Sequence, residues 1–336
     1  MKKYIFGVDG GNTKTDYFLF DLEGNFIDGK RAGTCSHEAL KDSFDGSYRV
    51  MNQEITELLS RNNLTPADIT AAVFGLAGVD VPFQQKRLEE IVEKIGFKNY
   101  RVVNDGFLGI KAASPNGVGV CSINGTGTVT TGIDEEGNIL QIGGIGYISG
   151  DEAGGSFFAR RVVQAAYDEA FRFGKKTILT KIVFDALEIT DKSDFQNAIV
   201  EKFYQRKVNH THLIQSLFKA ANDGDQVSIE ILEKAGENMA RSVAGCIDNL
   251  NYVKPVNVIM AGSVWVHATS DYMVNSFKKW VNDLTKKECN YIILRVPPAT
   301  GAIIWAMELA NKTLPTEEQK QIVFTNVEEY QRSLNK

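Results

Sequence analysis

The stretch that decides the fold is TKTDYFLFDLEGN, residues 13–25, which returns without a gap as TGTVTTGIDEEGN, residues 126–138. Six of the thirteen paired positions are identical. Each copy follows an apolar, strand-like run with a glycine-rich end, and each leads through a second strand into a Glu-Gly-Asn turn of the hairpin type. A repeat of this kind predicts a duplicated protein, in which two similar strand-turn-strand units open the two halves.

The glycine-rich turns of the repeat are suited to phosphate. Glycine lets the backbone come close to an anion, so that successive N–H groups converge on it, and threonine hydroxyls add hydrogen bonds without charge. Either turn alone is more typical of a simple tight hairpin, but two matched turns with threonine after the glycines favour phosphate binding from two sides of a cleft. A nucleotide P-loop is excluded, because Gly-x-x-x-x-Gly-Lys-Ser/Thr is absent.

Length and composition indicate a soluble protein of two domains. The 336 residues exceed the roughly 250–300 at which one core stops growing, and we predict domains at 1–115 and 116–314, with a tail, 315–336, that could return to the first. The net charge of −5, without a basic block, argues against nucleic acid as a partner. Four scattered cysteines argue against a zinc knuckle or a disulfide framework. The first apolar run is too short for a signal peptide or membrane span, which predicts a cytoplasmic protein with no membrane partner.

Strand and helix patterns alternate along the chain, which predicts largely parallel sheets with helices on both faces. Besides the strands of the second copy of the repeat, the predicted strands are 4–8, 15–20, 25–30, 69–74, 100–103, 256–260 and 291–295. The predicted helices are 48–60, 83–95, 154–172, 176–188, 193–204, 210–221, 226–249, 268–286 and 300–310. The polar tail after Leu314 is assigned no element.

Six motifs occur in the order and approximate spacing seen in one family. They are DGGNTKT at 9–15, NDG at 104–106, NGTGT at 124–128, GGIG at 143–146, GDE at 150–152 and AGSVW at 261–265. On these motifs the chain is identified as a member of the BadF/BadG/BcrA/BcrD ATPase family, and it resembles the N-acetylglucosamine kinases within it most. The resemblance spans residues 4–311. It implies an α/β fold of the actin/hexokinase type, with two ribonuclease-H-like lobes around an ATP cleft, and a homodimer.

Asp105 is the predicted catalytic base. It lies where a strand ends and a helix begins, which is where open α/β sheets place functional groups. From its position alone, a helix N-cap is an equally good interpretation. The resemblance favours catalysis, since the base of the kinases lies in this motif. Asp9, at the end of the first strand, is expected to orient Mg²⁺ through water, with a turn-starting aspartate as the alternative.

The resemblance also implies binding residues on both halves. Those expected to bind ATP are Gly10, Gly11, Asn12, Thr13, Lys14, Thr126, Gly262 and Ser263. Those expected to bind the sugar are Ser36, His37, Asp105, Thr128, Val129, Gly144, Ile145, Gly146 and Asp151. The kinases carry Asn-His where this chain has Ser36-His37, which leaves the exact sugar open because serine cannot donate and accept as an amide does. His210, His212 and His267 are interpreted as structural or solvent-exposed.

Three functions are compatible with these features. The first is an ATP-dependent kinase, with Mg²⁺, acting on the 6-hydroxyl of an amino sugar: N-acetylglucosamine, or a relative such as N-acetylmuramic acid or glucosamine. The second is an activator ATPase of a 2-hydroxyacyl-CoA dehydratase, which needs closely placed cysteines for an iron–sulfur cluster that the four scattered ones do not resemble. The third is a non-catalytic, actin-like ATP-binding protein, against which a base at Asp105 argues.

Overall fold

The computed structural model describes residues 3–253 and 255–334, so the predicted domain limits at residues 1 and 336 lie outside the described part. The strands are β1 Tyr4–Gly10, β2 Lys14–Asp21, β3 Phe26–Gly33, β4 Ile69–Leu76, β5 Tyr100–Val103, β6 Gly119–Asn124, β7 Thr128–Ile133, β8 Ile139–Gly143, β9 Val256–Ala261 and β10 Cys289–Ile293. The helices are α1 Ser43–Ser60, α2 Pro82–Ile95, α3 Gly106–Ala113, α4 Gly155–Phe171, α5 Leu179–Leu187, α6 Phe195–Ala198, α7 His210–Asn222, α8 Gln226–Asn249, α9 Ser263–Val266, α10 Tyr272–Thr285, α11 Ala299–Asn311 and α12 Glu317–Ser333.

The strands form two five-stranded sheets with the same topology. The first sheet has the order β3-β2-β1-β4-β5, and the second has the order β10-β9-β6-β7-β8. When β6 is taken as the equivalent of β1 and the second sheet is read from β8 to β10, both orders read third, second, first, fourth, fifth. In the first sheet β1 pairs antiparallel with β2 and parallel with β4, which makes it a mixed sheet. The predicted duplication is therefore confirmed at the level of strand order.

The repeated Glu-Gly-Asn turns agree atom by atom. Asp21 Oδ1 accepts hydrogen bonds from the backbone N–H groups of Glu23 and Asn25 at 3.1 and 2.9 Å. In the second copy, Asp134 Oδ1 accepts from the equivalent N–H groups, two and four residues later, at 3.0 and 2.8 Å. The glycine of each turn takes positive φ, 89° at Gly24 and 81° at position 137. The aspartate and the glycine thus explain why both hairpins keep the same sequence.

Contacts divide the chain into two compact units. Unit 1 comprises Met1–Cys121, Thr131–Ile139 and Leu294–Lys336, and unit 2 comprises Ser122–Thr130 and Leu140–Ile293. In unit 1, alternate side chains of the central strands pack into a core beneath α1 and α2. The opposite face of β1 and β4 is covered by α11. Gly7 permits this approach, because a Cβ there would lie 2.5 Å from Ile303 Cδ1.

The tail after Leu314 forms a helix, α12, to which the sequence analysis assigned no element. α12 begins with a capping box in which Thr316 Oγ1 accepts from the Gln319 N–H at 3.2 Å. The ring of Tyr330 packs edge-on against Phe18, with centroids 5.3 Å apart. α12 therefore covers the aromatic face of β2 and β3.

Unit 2 is built around the long helix α8. α8 packs along α10, and Gly236 makes this possible because a Cβ there would overlap the carbonyl oxygen of Met273. α4, α5 and α7 pack on one another as a further helical layer. None of the helices in the described part of the chain combines the length and the hydropathy needed to span a bilayer.

Several predicted elements differ from the structure in their limits or type. α1 begins at Ser43 rather than at residue 48, and Ser47 in its first turns donates a buried hydrogen bond to the Cys35 carbonyl at 2.7 Å. β10 lies at 289–293 rather than at 291–295, because its pairing with β9 begins at Cys289. The predicted helix 193–204 is a 3₁₀ turn, then α6, then a π-helical turn at Ile199–Phe203. The first two differences arise where polar residues form an element without an apolar pattern.

Candidate active site

Unit 1 places Asp9 near the end of β1, directly before the first glycine-rich turn. The turn is closed by a hydrogen bond from the Gly11 N–H to the Lys14 carbonyl at 2.9 Å. Thr34 Oγ1 donates to the Gly11 carbonyl at 2.8 Å and holds the turn from behind. Its tip, residues 12–14, is exposed. The predicted ATP-binding residues of this half all lie in this turn or at its edge: Gly10, Gly11, Asn12, Thr13 and Lys14.

The Asp9 carboxylate lies among other carboxylates. It makes no hydrogen bond or ion pair with a side chain in the described part of the chain, whereas Asp16 is held by Arg31 in a bidentate pair at 2.6 and 2.8 Å. Burial, together with the negative charges of Asp105 and Asp16, raises the pKa of Asp9 to about 7. A cation beside Asp9 would stabilise the ionised carboxylate and so oppose this rise in pKa. No group of three His, Cys, Asp or Glu residues in the described chain could enclose a metal, whereas Mg²⁺ usually keeps several waters and binds through only one or two carboxylates.

Asp105 occupies the N-cap position of α3, but its side chain makes no capping hydrogen bond. The neighbouring Asn104 has that role, since its Oδ1 accepts from the Gly106 N–H at 2.8 Å. The Asn104 amide in turn donates to Asp80 at 3.0 Å. Burial and the negative charge of Asp80 raise the pKa of Asp105 to about 6. Asn104 rather than Asp105 is therefore the residue whose side chain caps α3.

Ser36 and His37 are buried in the loop after β3, and each has a polar atom without a partner. Ser36 is 2% exposed and His37 is 7% exposed. Ser36 Oγ and His37 Nδ1 make no hydrogen bond with any described residue. The His37 ring stacks on Phe44 at 4.1 Å, and burial lowers the pKa of His37, which keeps the ring neutral at pH 7. Buried polar atoms without partners are costly, so these two atoms need a partner from outside the described chain, such as a water or a ligand, or another explanation.

Unit 2 carries the second glycine-rich turn, between β6 and β7. The Gly125 N–H donates to the Gly127 carbonyl at 3.0 Å, and the Thr126 side chain is exposed at the tip. The preceding Asn124 is buried, and its amide donates to the sulfur of Met239 at 3.1 Å. Gly262, with φ of 99°, packs against this residue so closely that a Cβ would overlap the Asn124 carbonyl oxygen. The ends of β6 and β9 therefore meet backbone to backbone.

A loop with three of the predicted sugar-binding residues is organised by a fourth, Asp151. Asp151 Oδ2 accepts from the backbone N–H groups of Gly144 and Gly146 at 2.9 and 2.7 Å, and from Ser149 Oγ at 2.8 Å. Ile145 between the two glycines is exposed. Asp151 also lines a small cavity with Thr128 and Val129. One carboxylate oxygen thus fixes the loop through three hydrogen bonds.

Replacing Asp151 by alanine should loosen this loop. A hydrogen bond to a charged acceptor contributes about 1.5–3 kcal/mol, so the amides of Gly144 and Gly146 should exchange with deuterium about 10–100-fold faster. Hydrogen exchange followed by mass spectrometry measures this effect. Glu152→Ala is the control, because Glu152 accepts from Asn238 at 2.9 Å and not from the loop. Unchanged exchange in Asp151→Ala would show that the loop is ordered by other contacts.

The sequence was compared with known families. The model of the BadF/BadG/BcrA/BcrD ATPase family matches residues 6–306, which is most of the chain. The chain belongs to this family.

Two curated relatives and one solved structure are similar to this family member over most of its length. It is 27% identical over 314 residues to an N-acetylmuramic acid/N-acetylglucosamine kinase of Clostridium acetobutylicum, and the matched region covers 90% of this chain and 98% of the relative. It is 24% identical over 264 residues to an N-acetyl-D-glucosamine kinase of Dictyostelium discoideum, covering 76% and 82%. A crystal structure of a candidate N-acetylglucosamine kinase from Chromobacterium violaceum superposes with a TM-score of 0.63 at 19% identity, over 92% of this chain and 99% of that one. The predicted actin/hexokinase-type fold class is confirmed.

The structure of this BadF/BadG/BcrA/BcrD family member groups the predicted residues into local sets. In unit 1, Asp9 and Asp105 are near enough for the charge of one to raise the pKa of the other. In unit 2, Thr126 and Ser263 line one cavity, whereas Asp151 belongs to a different one.

One wall of the Thr126 cavity contains none of the predicted site residues. That wall is a face of α7 that includes His210, and His267 also lines the cavity; the sequence pattern indicates only structural or solvent-exposed histidines at both positions. The spacing of residues 210, 214 and 218 is a signal for a helix face, but it does not distinguish a cavity wall from a core.

Proposed function

We propose that this protein is a kinase that transfers the γ-phosphoryl group of ATP to the 6-hydroxyl of an amino sugar, with N-acetylglucosamine as the preferred substrate. The observation that carries the proposal is Asp105, a carboxylate at the end of β5 that caps nothing and whose pKa is raised to about 6. The two curated relatives are named as kinases of N-acetylglucosamine, one of them also of N-acetylmuramic acid, which supports an amino sugar.

Asp105 acts as the general base in this proposal. The carboxylate accepts the proton of the 6-hydroxyl while the oxygen attacks the γ-phosphorus, and ADP leaves on the opposite side. A pKa of about 6 keeps the group largely ionised at pH 7 and makes it more basic than an ordinary aspartate. Burial by the surrounding protein has raised the basicity without protonating the group.

Asp9 is the residue we propose to hold Mg²⁺ through water. When bound, Mg²⁺ neutralises the developing charge on the phosphate oxygens. The Asp9 carboxylate has no hydrogen-bond or ion-pair partner among the described side chains, and burial and the neighbouring carboxylates raise its pKa. Its ionised form is therefore the one that gains from a cation.

The sugar-binding residues are proposed in two groups. In unit 1, Ser36 Oγ and His37 Nδ1 supply a buried hydroxyl and a ring nitrogen for sugar hydroxyl or acetamido groups. In unit 2, Asp151 fixes the loop of Gly144 to Gly146, so that the remaining carboxylate oxygen and the loop present a rigid polar surface. The same cavity includes Thr128 and Val129. The neutral His37 ring and the Asp151 carboxylate can both form hydrogen bonds with an uncharged sugar.

The phosphate turns yield a testable prediction. Thr13→Ala and Thr126→Ala should each weaken ATP binding, because each removes an exposed hydroxyl from a turn proposed to bind a charged phosphate. The expected loss is about 1.5–3 kcal/mol, or roughly 10–150-fold in Kd, with sugar affinity nearly unchanged. Titration calorimetry measures both affinities. Thr325→Ala is the control, because Thr325 is an exposed threonine of α12. Unchanged ATP affinity in both turn variants would contradict phosphate binding by the turns.

The raised pKa of Asp105 yields a prediction about pH. The base works only when ionised, so kcat/KM for the sugar at fixed MgATP should fall about tenfold per unit as pH drops below about 6, and level off above it. Steady-state rates between pH 5 and 8 test this. Asp80→Asn should move the acidic fall in kcat/KM to lower pH, because it removes a negative charge that raises the pKa of Asp105. A profile that is flat through pH 6 would argue against Asp105 as the base.

The proposed function itself is tested with a sugar panel. ADP release is measured with ATP, Mg²⁺ and N-acetylglucosamine, N-acetylmuramic acid, glucosamine, glucose or 6-deoxy-N-acetylglucosamine. We expect turnover of N-acetylglucosamine and no turnover of the 6-deoxy sugar. ³¹P NMR should show that the product carries its phosphate on the 6-oxygen. ADP release that does not depend on any sugar would instead support the activator ATPase. The four free cysteines, three of them buried, offer no described cluster for iron–sulfur ligation.

A further inference from the structure

Unit 2 contains a cavity of about 710 Å³ that begins at the second glycine-rich turn and extends along α7. Thr126 of the turn and Ser156 at the start of α4 line one part of it, and Ser263 of α9 lines another. The α7 residues that line the cavity are His210, Thr211, Ile214, Gln215 and Phe218. The cavity is large enough for a nucleoside next to a phosphate-binding turn.

The α7 wall combines apolar surface with an aromatic ring held in place. Ile214 and Phe218 follow His210 at intervals of one helical turn, so the three lie on one face of α7. The His210 ring stacks on Phe203, with centroids 4.9 Å apart and an angle of 25° between the planes. Burial and the charge of Arg206 lower the pKa of His210, so the ring is neutral at pH 7. A neutral ring fixed by stacking is a surface on which a base can stack in turn.

The polar groups of the cavity are uncharged. None of the described residues that line it is Asp, Glu, Lys or Arg. Gln215 is exposed and makes no hydrogen bond with another described residue. A glutamine amide offers one donor and one acceptor side by side, which matches the N6 amino group and N7 of adenine. The corresponding edge of guanine carries two acceptors, O6 and N7, so the amide oxygen would face an oxygen.

We propose that α7 is the base-recognition element of the nucleotide site, in which His210 stacks on the purine and Gln215 selects adenine over guanine through its N6/N7 edge. This inference rests on the proposed function, since it takes the phosphates to lie at Thr126. It adds the residues that decide which nucleoside triphosphate is used.

The two residues should give different signatures. Gln215→Ala should lower the ratio of the ATP to the GTP value of kcat/KM about tenfold or more, because one bidentate amide–base pair is lost. His210→Ala should weaken ATP and GTP alike, about 5–100-fold, because every base has a π-face and stacking does not distinguish them. His212→Ala is the matched control: it is the same residue type on the same helix, exposed, and not part of the cavity lining.

Binding of ADP and GDP to each variant by calorimetry provides a readout that does not require turnover. Loss of ADP preference in Gln215→Ala, with full affinity in His212→Ala, supports the inference even if no sugar is phosphorylated. A wild-type protein that phosphorylates a sugar with ATP, but whose ATP-to-GTP ratio is unchanged in Gln215→Ala, overturns the inference and leaves the proposed function standing. A wild-type protein that binds neither ADP nor GDP overturns both.

Discussion

Asp105→Asn is expected to bind ATP and sugar as the wild type does and to lose about 10²–10⁴-fold in kcat, the usual contribution of a general base. The substitution keeps the shape of the side chain and one oxygen but removes the basic lone pair. Stability should not fall, because the Asp105 side chain makes no capping bond and its charge is unfavourable where it lies. Measuring kcat, both Kd values and Tm on the same variant gives the complete pattern.

Asp80→Asn is the matched control for this substitution. It changes a neighbouring carboxylate in the same way, and its oxygen can still accept the bond from the Asn104 amide. At pH 8, where Asp105 is ionised in both proteins, kcat of Asp80→Asn should stay close to that of the wild type. A fully active Asp105→Asn would remove Asp105 from the chemistry, whereas a variant that is inactive and also destabilised would indicate a structural role.

Gly301→Ala is expected to destabilise the protein by about 3 kcal/mol or more, at the upper end of the cost of overpacking. Gly301 lies on α11, where an added Cβ would overlap the carbonyl oxygen and carbon of Leu108 on α3. α11 cannot easily move away from α3, because Ile303 on its other side already fills the space left by Gly7. Since α3 begins directly after Asp105, kcat should fall as well. Urea unfolding and steady-state rates measure the two effects.

Gly245→Ala is the control for this prediction. Gly245 is also inside a helix, α8, but the nearest atom to an added Cβ is the flexible end of Ile142, at 3.1 Å. Alanine is favoured over glycine inside a helix by up to about 1 kcal/mol, so the urea midpoint should hold or rise. If both variants have the same midpoint, the close contact of α3 with α11 does not limit stability.

The sequence predicted the duplication because its signals are local. The Asp21 and Asp134 turns need a particular aspartate, glycine and asparagine within five residues, and the same hydrogen bonds form in each copy. α12 was missed because its buried residues are few and include a lysine. Lys320 can be buried because its ammonium donates to the Glu317 carboxylate at 2.6 Å and to the Pro115 carbonyl, 205 positions away, at 2.8 Å. No local pattern can indicate such a partner.

The candidate site shows the same limit. Motifs indicated Asp9, Asp105 and Thr126, since each follows a strand in a recognisable turn. The role of Asn104 as the helix cap, which leaves Asp105 unused, depends on side-chain geometry that spacing does not determine. His210 was interpreted as structural or exposed because it lies two positions from His212, so that the two would not share a helix face. Its place in a cavity wall follows from the packing of α7 against other elements of unit 2.

The chain order of unit 1 has a consequence for synthesis. The unit begins with β1 to β5 but ends with α11 and α12, and most of unit 2 lies between them. A ribosome adds about 5–20 residues per second, so roughly 15–60 s separate Phe18 from Tyr330, the residue that covers it. During that time the aromatic surface of the nascent sheet is available to chaperones. Unit 2 can fold while the chain is still growing, and the half that carries Asp105 is completed only once α11 and α12 have been made.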